Sequence, residues 1–578
     1  MPRRAPPSIP LALAVLLITL VGIGLRLWHL ADKPLWLDEV IAALFVLGRS
    51  LGDIPVNQAI PITQLDSIFT YQPSLSCGQI AQTVATQSVH PPLFFCLLYR
   101  WMGMQPVNDQ WVWMLRALPA LLGSLMIPLG YGLGRQLMSP AVGLATAALV
   151  ALSPFAVYLS QEARHYTLPM ALIMLALLLL LHLQQTVVRI DTPRRRIWGL
   201  LAAWVGISVL GLYTHYFMLL AVAAQVGAFG LWLWRSQWGA LRRYWRELLL
   251  SLLAVGLSYW PWLPTMLSHL SRPETDWLTP YNPDWRDRLA PLYQLPSSWI
   301  LSVVALPLEA QPLAIAIPAA IAMLVIGLSL GWWVVRGLAT LRHSPTVGLL
   351  AAFVGGVLLQ FLAIVYLLDK DITAIPRYSF VYYPGLVGLI AAGLMASSVA
   401  GKHPRSKRVA PLTLALVVSA LSSLLVVQGS VFQKGFYPSR VAQDIAFEAD
   451  TPVLLAVSYQ SLQEVALGLS FARELRHTGV DPRNTAIAFV YRERGYGRVW
   501  RQFPQLRPDL PLPLNLWVVA SPGMKTKDYP KRLRLGTASN QRARCTIVPE
   551  RFNRIGFPYQ LFRCRRAGKG NSAPPVPS

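Results

Sequence analysis

The residues best placed to do chemistry in this sequence stand at the ends of long apolar segments. Asp38 and Glu39 close the run Pro34-Leu35-Trp36-Leu37-Asp38-Glu39, and His90 precedes Pro91 and Pro92. Glu162, Arg164 and Tyr166 fall in Gln161-Glu162-Ala163-Arg164-His165-Tyr166, His215 lies in Tyr213-Thr214-His215-Tyr216, and Arg377 and Tyr378 open a later apolar run. A carboxylate can take the proton of an attacking hydroxyl, and cations can hold a phosphate as charge develops on it. Gathered at one face of a membrane, such groups suit group transfer from a phosphate-bearing substrate whose tail stays in lipid. Each also has a structural reading. Asp38 and Glu39 alone read as solvated loop acids, and Glu162 with Arg164 as an interfacial ion pair of little worth. His90 and His215 read as interface histidines, and Arg377 as a snorkelling anchor. Their shared side is the stronger observation.

That side follows from the apolar segments. Of 578 residues 54% are hydrophobic and 13% charged, which excludes an ordinary water-soluble domain. Runs near the 20 or so residues that a spanning helix needs recur as far as Gln428. The formal charge of +25 does not imply nucleic acid, because Lys and Arg sit mostly between apolar segments, as the positive-inside rule places them. Spans are expected at about 9–28, 113–134, 141–159, 167–184, 197–213, 216–234, 248–265, 312–335, 347–367, 379–399 and 410–428. The N-terminus with Arg3 and Arg4 then lies inside, as do Arg189 and Arg194 to Arg196, Arg235 with Arg242, Arg243 and Arg246, Arg336 with Arg342, and Lys402 with Arg405, Lys407 and Arg408. The first span reads as uncleaved, since no small-residue cleavage site follows it.

Residues 29–112 form a large first external loop, in which 91–104 is too short to cross and reads as an interfacial helix. A Pro- and Trp-rich loop at 266–300 carries Trp277 and Trp285 at the membrane surface. The membrane domain takes residues 1–429. Residues 430–566 form an extracytoplasmic α/β domain, with strands at 452–459, 486–491 and 514–520 and a helix at 462–477 opened by a Ser461/Glu464 capping box. The Gly/Ser/Pro-rich end, 567–578, reads as disordered. Cys77, Cys96, Cys545 and Cys564 have no metal-ligand spacing, so no metal site is assigned. Cys545 and Cys564 are expected to form a disulfide in an oxidising compartment. Cys77 and Cys96, in different settings, are left unpaired.

The runs LWLDE, HPPLFF, LSPFAVYLSQEARHYTL, LYTHYF and RYSFVYYPGL, in this order over about residues 10–400, resemble the family 39 glycosyltransferases. These are relatives of protein O-mannosyltransferases and of the lipid A aminoarabinose transferase. The resemblance implies a GT-C fold, which with the spans above gives an α-helical polytopic membrane protein of about 11 transmembrane helices. It implies a hexosyl- or pentosyltransferase that inverts its donor, with a polyprenyl-phosphate sugar as that donor and a lipid, glycan or protein as acceptor. Asp38 would be the general base with Glu39 beside it, Glu162 falls near a second acidic position, and Arg377 would bind phosphate. His90 stands where the aminoarabinose transferase has a Lys before Pro, and would be a ligand of the donor phosphate. Arg164, Tyr166, His215 and Tyr378 complete the substrate-binding set. The paired acids permit a divalent metal without requiring one. The tail domain inherits no role. The site and the tail are expected on the outer face of the inner, plasma membrane. The alternative is a transporter or flippase for a lipid-linked saccharide, which would be marked by mid-span charges or an internal repeat. A membrane-anchored scaffold would leave the outer-face residues unexplained.

Overall fold

A computed structural model describes residues 10–104, 110–189, 191–272, 284–400, 410–493, 495–539 and 542–567. Arg3, Arg4, Trp277, Lys402, Arg405, Lys407, Arg408 and the tail after Ala567 lie outside the described residues. The chain forms two compact units: Met1–Asp32 with Ser76–Phe432, and Lys33–Leu75 with Gln433–Ser578. The division differs from the expected one. The first external loop does not stay whole, because residues 33–75 join the C-terminal domain.

The first unit opens with α1 (Leu11–Leu27). Next come α2 (Leu37–Val46), β1 (Ala59–Pro61) and α3 (Leu65–Ile68), all belonging to the second unit. The first unit resumes with α4 (Cys77–Gln87), α5 (Leu93–Met102), α6 (Trp111–Leu137), α7 (Pro140–Leu152), α8 (Pro154–Ser160), α9 (Thr167–Val187), α10 (Arg194–Leu212), α11 (Met218–Ser236) and α12 (Trp238–Tyr259). It continues through α13 (Leu263–Leu270), α14 (Trp285–Leu301), α15 (Leu313–Thr340), α16 (Pro345–Leu368), α17 (Tyr383–Ala400) and α18 (Ala410–Val427). Among the described residues seven helices are long and apolar enough to cross a bilayer, and α7 with α8, bent by 54°, makes an eighth. The other three expected spans coincide with the shorter apolar helices α1, α17 and α18. The protein is therefore a multi-pass membrane protein. The helix α5 is shorter than a span, as expected, but it is no loose surface helix, since Phe94, Phe95, Leu98, Tyr99 and Met102 are buried.

Between α7 and α8 the sequence breaks its own helix. Pro154 has no N–H, so the carbonyl of Val150 loses its intrahelical donor, and Ser153 caps the new start by accepting from Ala156 N at 3.3 Å. The freed carbonyls are answered from elsewhere. Arg26 of α1, fully buried, donates to Val150 O at 2.9 Å and to Ala151 O at 3.1 Å, while Ser423 of α18 donates to Leu152 O at 2.7 Å. The Arg26 Nε also donates to Ser160 Oγ at 3.2 Å. Gly123 of α6 admits that serine, because a Cβ there would lie 2.1 Å from its Oγ.

A further departure concerns the cysteines. Cys77 and Cys96 are joined, with Cα atoms 5.3 Å apart, because the chain turns back through 88–92 and brings the first residue of α4 against α5. Their settings, read as different in the sequence, are one place in the fold. Cys545 is joined to Cys564 across neighbouring strands.

The second unit is built on a seven-stranded sheet, ordered β1-β3-β2-β4-β7-β6-β5. After α19 (Pro438–Ile445) come β2 (Val453–Tyr459), α20 (Leu462–Leu475), β3 (Thr485–Tyr491), α21 (Tyr496–Gln502), β4 (Leu514–Val519), β5 (Arg532–Gly536), β6 (Arg542–Ile555) and β7 (Phe557–Arg566). The strands β3, β2 and β4 are parallel, fully buried apart from Tyr491, and read as continuous apolar runs, as parallel strands do. The capping box at Ser461 and Glu464 is present. Two pieces come from residues 33–75. β1 pairs antiparallel with β3, and α2 packs on α20, where Ser470 Oγ donates to Leu35 O at 2.5 Å.

Candidate functional site

Within the first unit three histidines from three separate turns meet. His90 lies in the turn between α4 and α5, His165 between α8 and α9, and His215 between α10 and α11. Ring centroids are 4.5 Å apart for His90 and His165, 4.7 Å for His165 and His215, and 6.4 Å for His90 and His215. These turns share one end of the bundle; Arg194 to Arg196, Arg235, Arg242, Arg243 and Arg246, and Arg336 with Arg342 stand at the other.

Local chemistry fixes each turn. Pro91 and Pro92 restrict the backbone after His90, whose Nδ1 is 2.8 Å from Ser88 Oγ. The carbonyl of Tyr213 accepts from Leu93 N at 3.0 Å, tying the start of α5 to the His215 turn. His215 Nδ1 accepts from Phe217 N at 3.0 Å. The 161–166 turn is held by Gln161, whose amide donates to the carbonyls of Leu25, Arg26 and Trp28 at the end of α1. From below, Arg272 donates to the carbonyls of Ala85, Thr86 and Ser88, and His269 bridges Tyr216 Oη and Ala85 O.

Arg164 and Tyr166 are buried in the same turn as His165, with the guanidinium 5.8 Å from the tyrosine ring. Arg377 lies beside Tyr378 on the 3₁₀ turn Pro376–Val381, and that turn carries Phe380, 4.7 Å from His215 and 5.7 Å from Tyr166. Glu162, also buried, accepts from Arg164 N through its carbonyl at 2.7 Å. Thus His90, Glu162, Arg164, Tyr166, His215, Arg377 and Tyr378 are all found in the first unit. Asp38 and Glu39 are in the second, in the first turn of α2, where acids also suit the positive end of the helix dipole.

All three imidazoles are held neutral. Burial is the main cause for each. The positive charge of Arg164 adds to it for all three, and that of Arg377 for His90 and His165. His215 is brought down to about 3, and the other two lie well below the usual histidine value. Among the described residues neither nitrogen of His165 has a hydrogen-bond partner. A cluster of neutral imidazoles with two guanidinium groups acting on it is suited to an anion, whose charge the cations meet and whose oxygens the imidazoles can bond. Among the described residues no group of three or more His, Cys, Asp or Glu side chains is arranged to hold a metal ion.

His165 was not singled out in the sequence. A signal was there, since Arg164-His165-Tyr166 and Thr214-His215-Tyr216 repeat a His-Tyr pair at two turns of the same bundle end. Arg26 and Gln161, which position the turn, carried no comparable signal.

No family model and no curated protein sequence matches the chain. Among solved structures it is similar to ArnT from Cupriavidus metallidurans bound to undecaprenyl phosphate, at 13% identity and a TM-score of 0.48, covering 95% of this chain and 97% of that one. The apo state of the same protein gives 12% and 0.48, covering 88% and 92%. The oligosaccharyltransferase AglB from Archaeoglobus fulgidus, in complex with an inhibitory peptide and a dolichol-phosphate, gives 10% and 0.45, covering 82% of this chain and 64% of that one.

Proposed function

We propose that the chain is a membrane glycosyltransferase that moves a hexose or pentose from a polyprenyl-phosphate donor to a hydroxyl of a lipid, glycan or protein acceptor on the extracytoplasmic face of the plasma membrane. The observation that carries this is the meeting of neutral His90, His165 and His215 with Arg164 and Arg377 at one end of the spanning bundle. A phosphate on a lipid tail is the ligand that needs both a cationic anion site and adjoining hydrocarbon. The motif resemblance to family 39 glycosyltransferases supports the same class.

In the proposed reaction the acceptor oxygen attacks the anomeric carbon, with inversion, and the bond from that carbon to the phosphate oxygen breaks. The electron pair leaves with the polyprenyl phosphate, stabilised by Arg377 and Arg164. The acceptor proton passes to a base, for which we propose Asp38, with Glu39 and Glu162 as the next candidates. Metal dependence is a separate question, answered by turnover before and after chelation.

The test is release of polyprenyl phosphate from a polyprenyl-phosphate sugar by purified full-length protein. Arg377→Ala should raise KM for donor and lower kcat together, because a phosphate contact acts in ground and transition states alike. Asp38→Asn should lower kcat by about 10²–10⁴-fold with donor binding kept. Near-normal turnover in Asp38→Asn removes Asp38 from the role. Movement of intact donor across liposomes without cleavage would replace the enzyme by a flippase.

A further inference from the structure

The outer strands of the second unit's sheet carry arginine at nearly every exposed position of one face. In register, Arg534 of β5 stands opposite Arg544 of β6, which stands opposite Arg565 of β7. The next row is Arg532, Thr546 and Arg563, and Arg542 extends the face beside Gly536. All six arginines are exposed, while the alternate residues Leu533, Leu535, Ala543, Cys545, Phe562 and Cys564 are buried. Like charges placed directly opposite across strands destabilise a sheet. Only Arg563 is answered, by Glu448; among the described residues the other five form no ion pair. Protection of an edge strand from aggregation explains charge on β5 but not on β6 and β7, which are interior strands.

A groove of about 380 Å³ is lined by Arg544, Thr546, Arg563 and Arg565 of this face. Guanidinium groups on three strands about 4.8 Å apart form a fixed array for a row of anions, at less entropic cost than flexible lysines would incur. The Thr546 hydroxyl between Arg532 and Arg563 suits a hydroxylated chain. Among the described residues the face exposes no aromatic side chain on which a base could stack, and its groove fits a strand of ligand better than a flat bilayer.

We propose that this arginine face binds a polyanionic glycan, a linear saccharide carrying several carboxylate or phosphate groups. The proposal stands independently of the glycosyltransferase reading.

The experiment uses the full chain in neutral detergent and a short fluorescent oligogalacturonate as probe, with a neutral maltooligosaccharide as comparison. The wild type should bind the charged probe only, with affinity falling steeply as salt rises. The triple variant Arg534→Gln, Arg544→Gln, Arg565→Gln should lose about tenfold or more in affinity, and its salt slope should flatten by about 2, as expected for three lost anion contacts. Arg483→Gln with Arg501→Gln, on the same unit away from the face, should change neither. The probe should raise the melting temperature of the wild type and not of the triple variant, whose own melting temperature should not fall because repulsion has been removed. Unchanged affinity in the triple variant, equal binding of the neutral saccharide, or displacement of the probe by an oligonucleotide or by anionic lipid vesicles at lower concentration than by unlabelled oligogalacturonate would overturn the proposal.

Discussion

At the scale of single residues, the three neutral histidines make a prediction about pH. A histidine whose folded pKa is depressed takes up protons more readily when unfolded, so its contribution to stability is complete above about 6.5 and is lost as pH falls below it. For His215 the loss continues toward about 3. Melting of the purified protein should therefore drop progressively between pH 7 and pH 5, by roughly 1 kcal/mol per pH unit for each histidine involved. His165→Phe should remove one proton from that slope, and an unchanged slope would mean that His165 does not titrate with unfolding. Much at this scale could be read from the sequence. Arg164, His215 and Arg377 stood out because polar residues at the ends of apolar runs are few. His165 did not, because a histidine beside an arginine in a polar turn looks solvated until burial is known, and burial comes from three turns distant in sequence.

At the scale of elements, the break between α7 and α8 is the device that shapes the site. It leaves buried carbonyls that Arg26 satisfies, and an unsatisfied buried carbonyl costs about 1–3 kcal/mol. Arg26→Met should cost roughly 2–5 kcal/mol of stability, measured by thermal unfolding in detergent, and Arg26→Lys, which keeps one donor group, should recover part of it. Equal melting of wild type and Arg26→Met would show that other donors take over. The Cys77–Cys96 link closes the loop that carries His90, so Cys77→Ser with Cys96→Ser should loosen that turn and raise KM for donor more than it lowers kcat. Free-thiol labelling of the untreated protein should find neither cysteine. The spans were legible because hydropathy and basic loops alternate along the chain. The division of the first external loop was not, since β1 is only Ala-Ile-Pro and no local periodicity ties it to β3. The pairing of Cys77 with Cys96 was hidden for a similar reason, as it depends on how α4 crosses α5.

At the scale of the whole molecule, the architecture of spanning helices and a separate sheet domain follows from composition, and the strands β2, β3 and β4 follow from their unbroken apolar runs. What composition does not reveal is that the second unit is assembled from both ends of the sequence. Leu35 and Ser470 are hydrogen-bonded across 435 residues. That separation is also an interval of time. A ribosome adding about 5–20 residues per second needs roughly 20–90 s to cover it. Throughout that interval α2, with Val40 and Ala42 to Val46 destined for burial, has been made but its partner α20 has not. The nascent protein thus carries α2 without its α20 partner for most of its synthesis, and folding of the second unit cannot finish before its last strands emerge. A chain ended after Phe432 never reaches that point. In pulse-labelled cells it should be degraded or aggregate markedly faster than the full chain, even though every spanning helix is present, and a lifetime equal to that of the full chain would show that the membrane unit shelters α2 unaided.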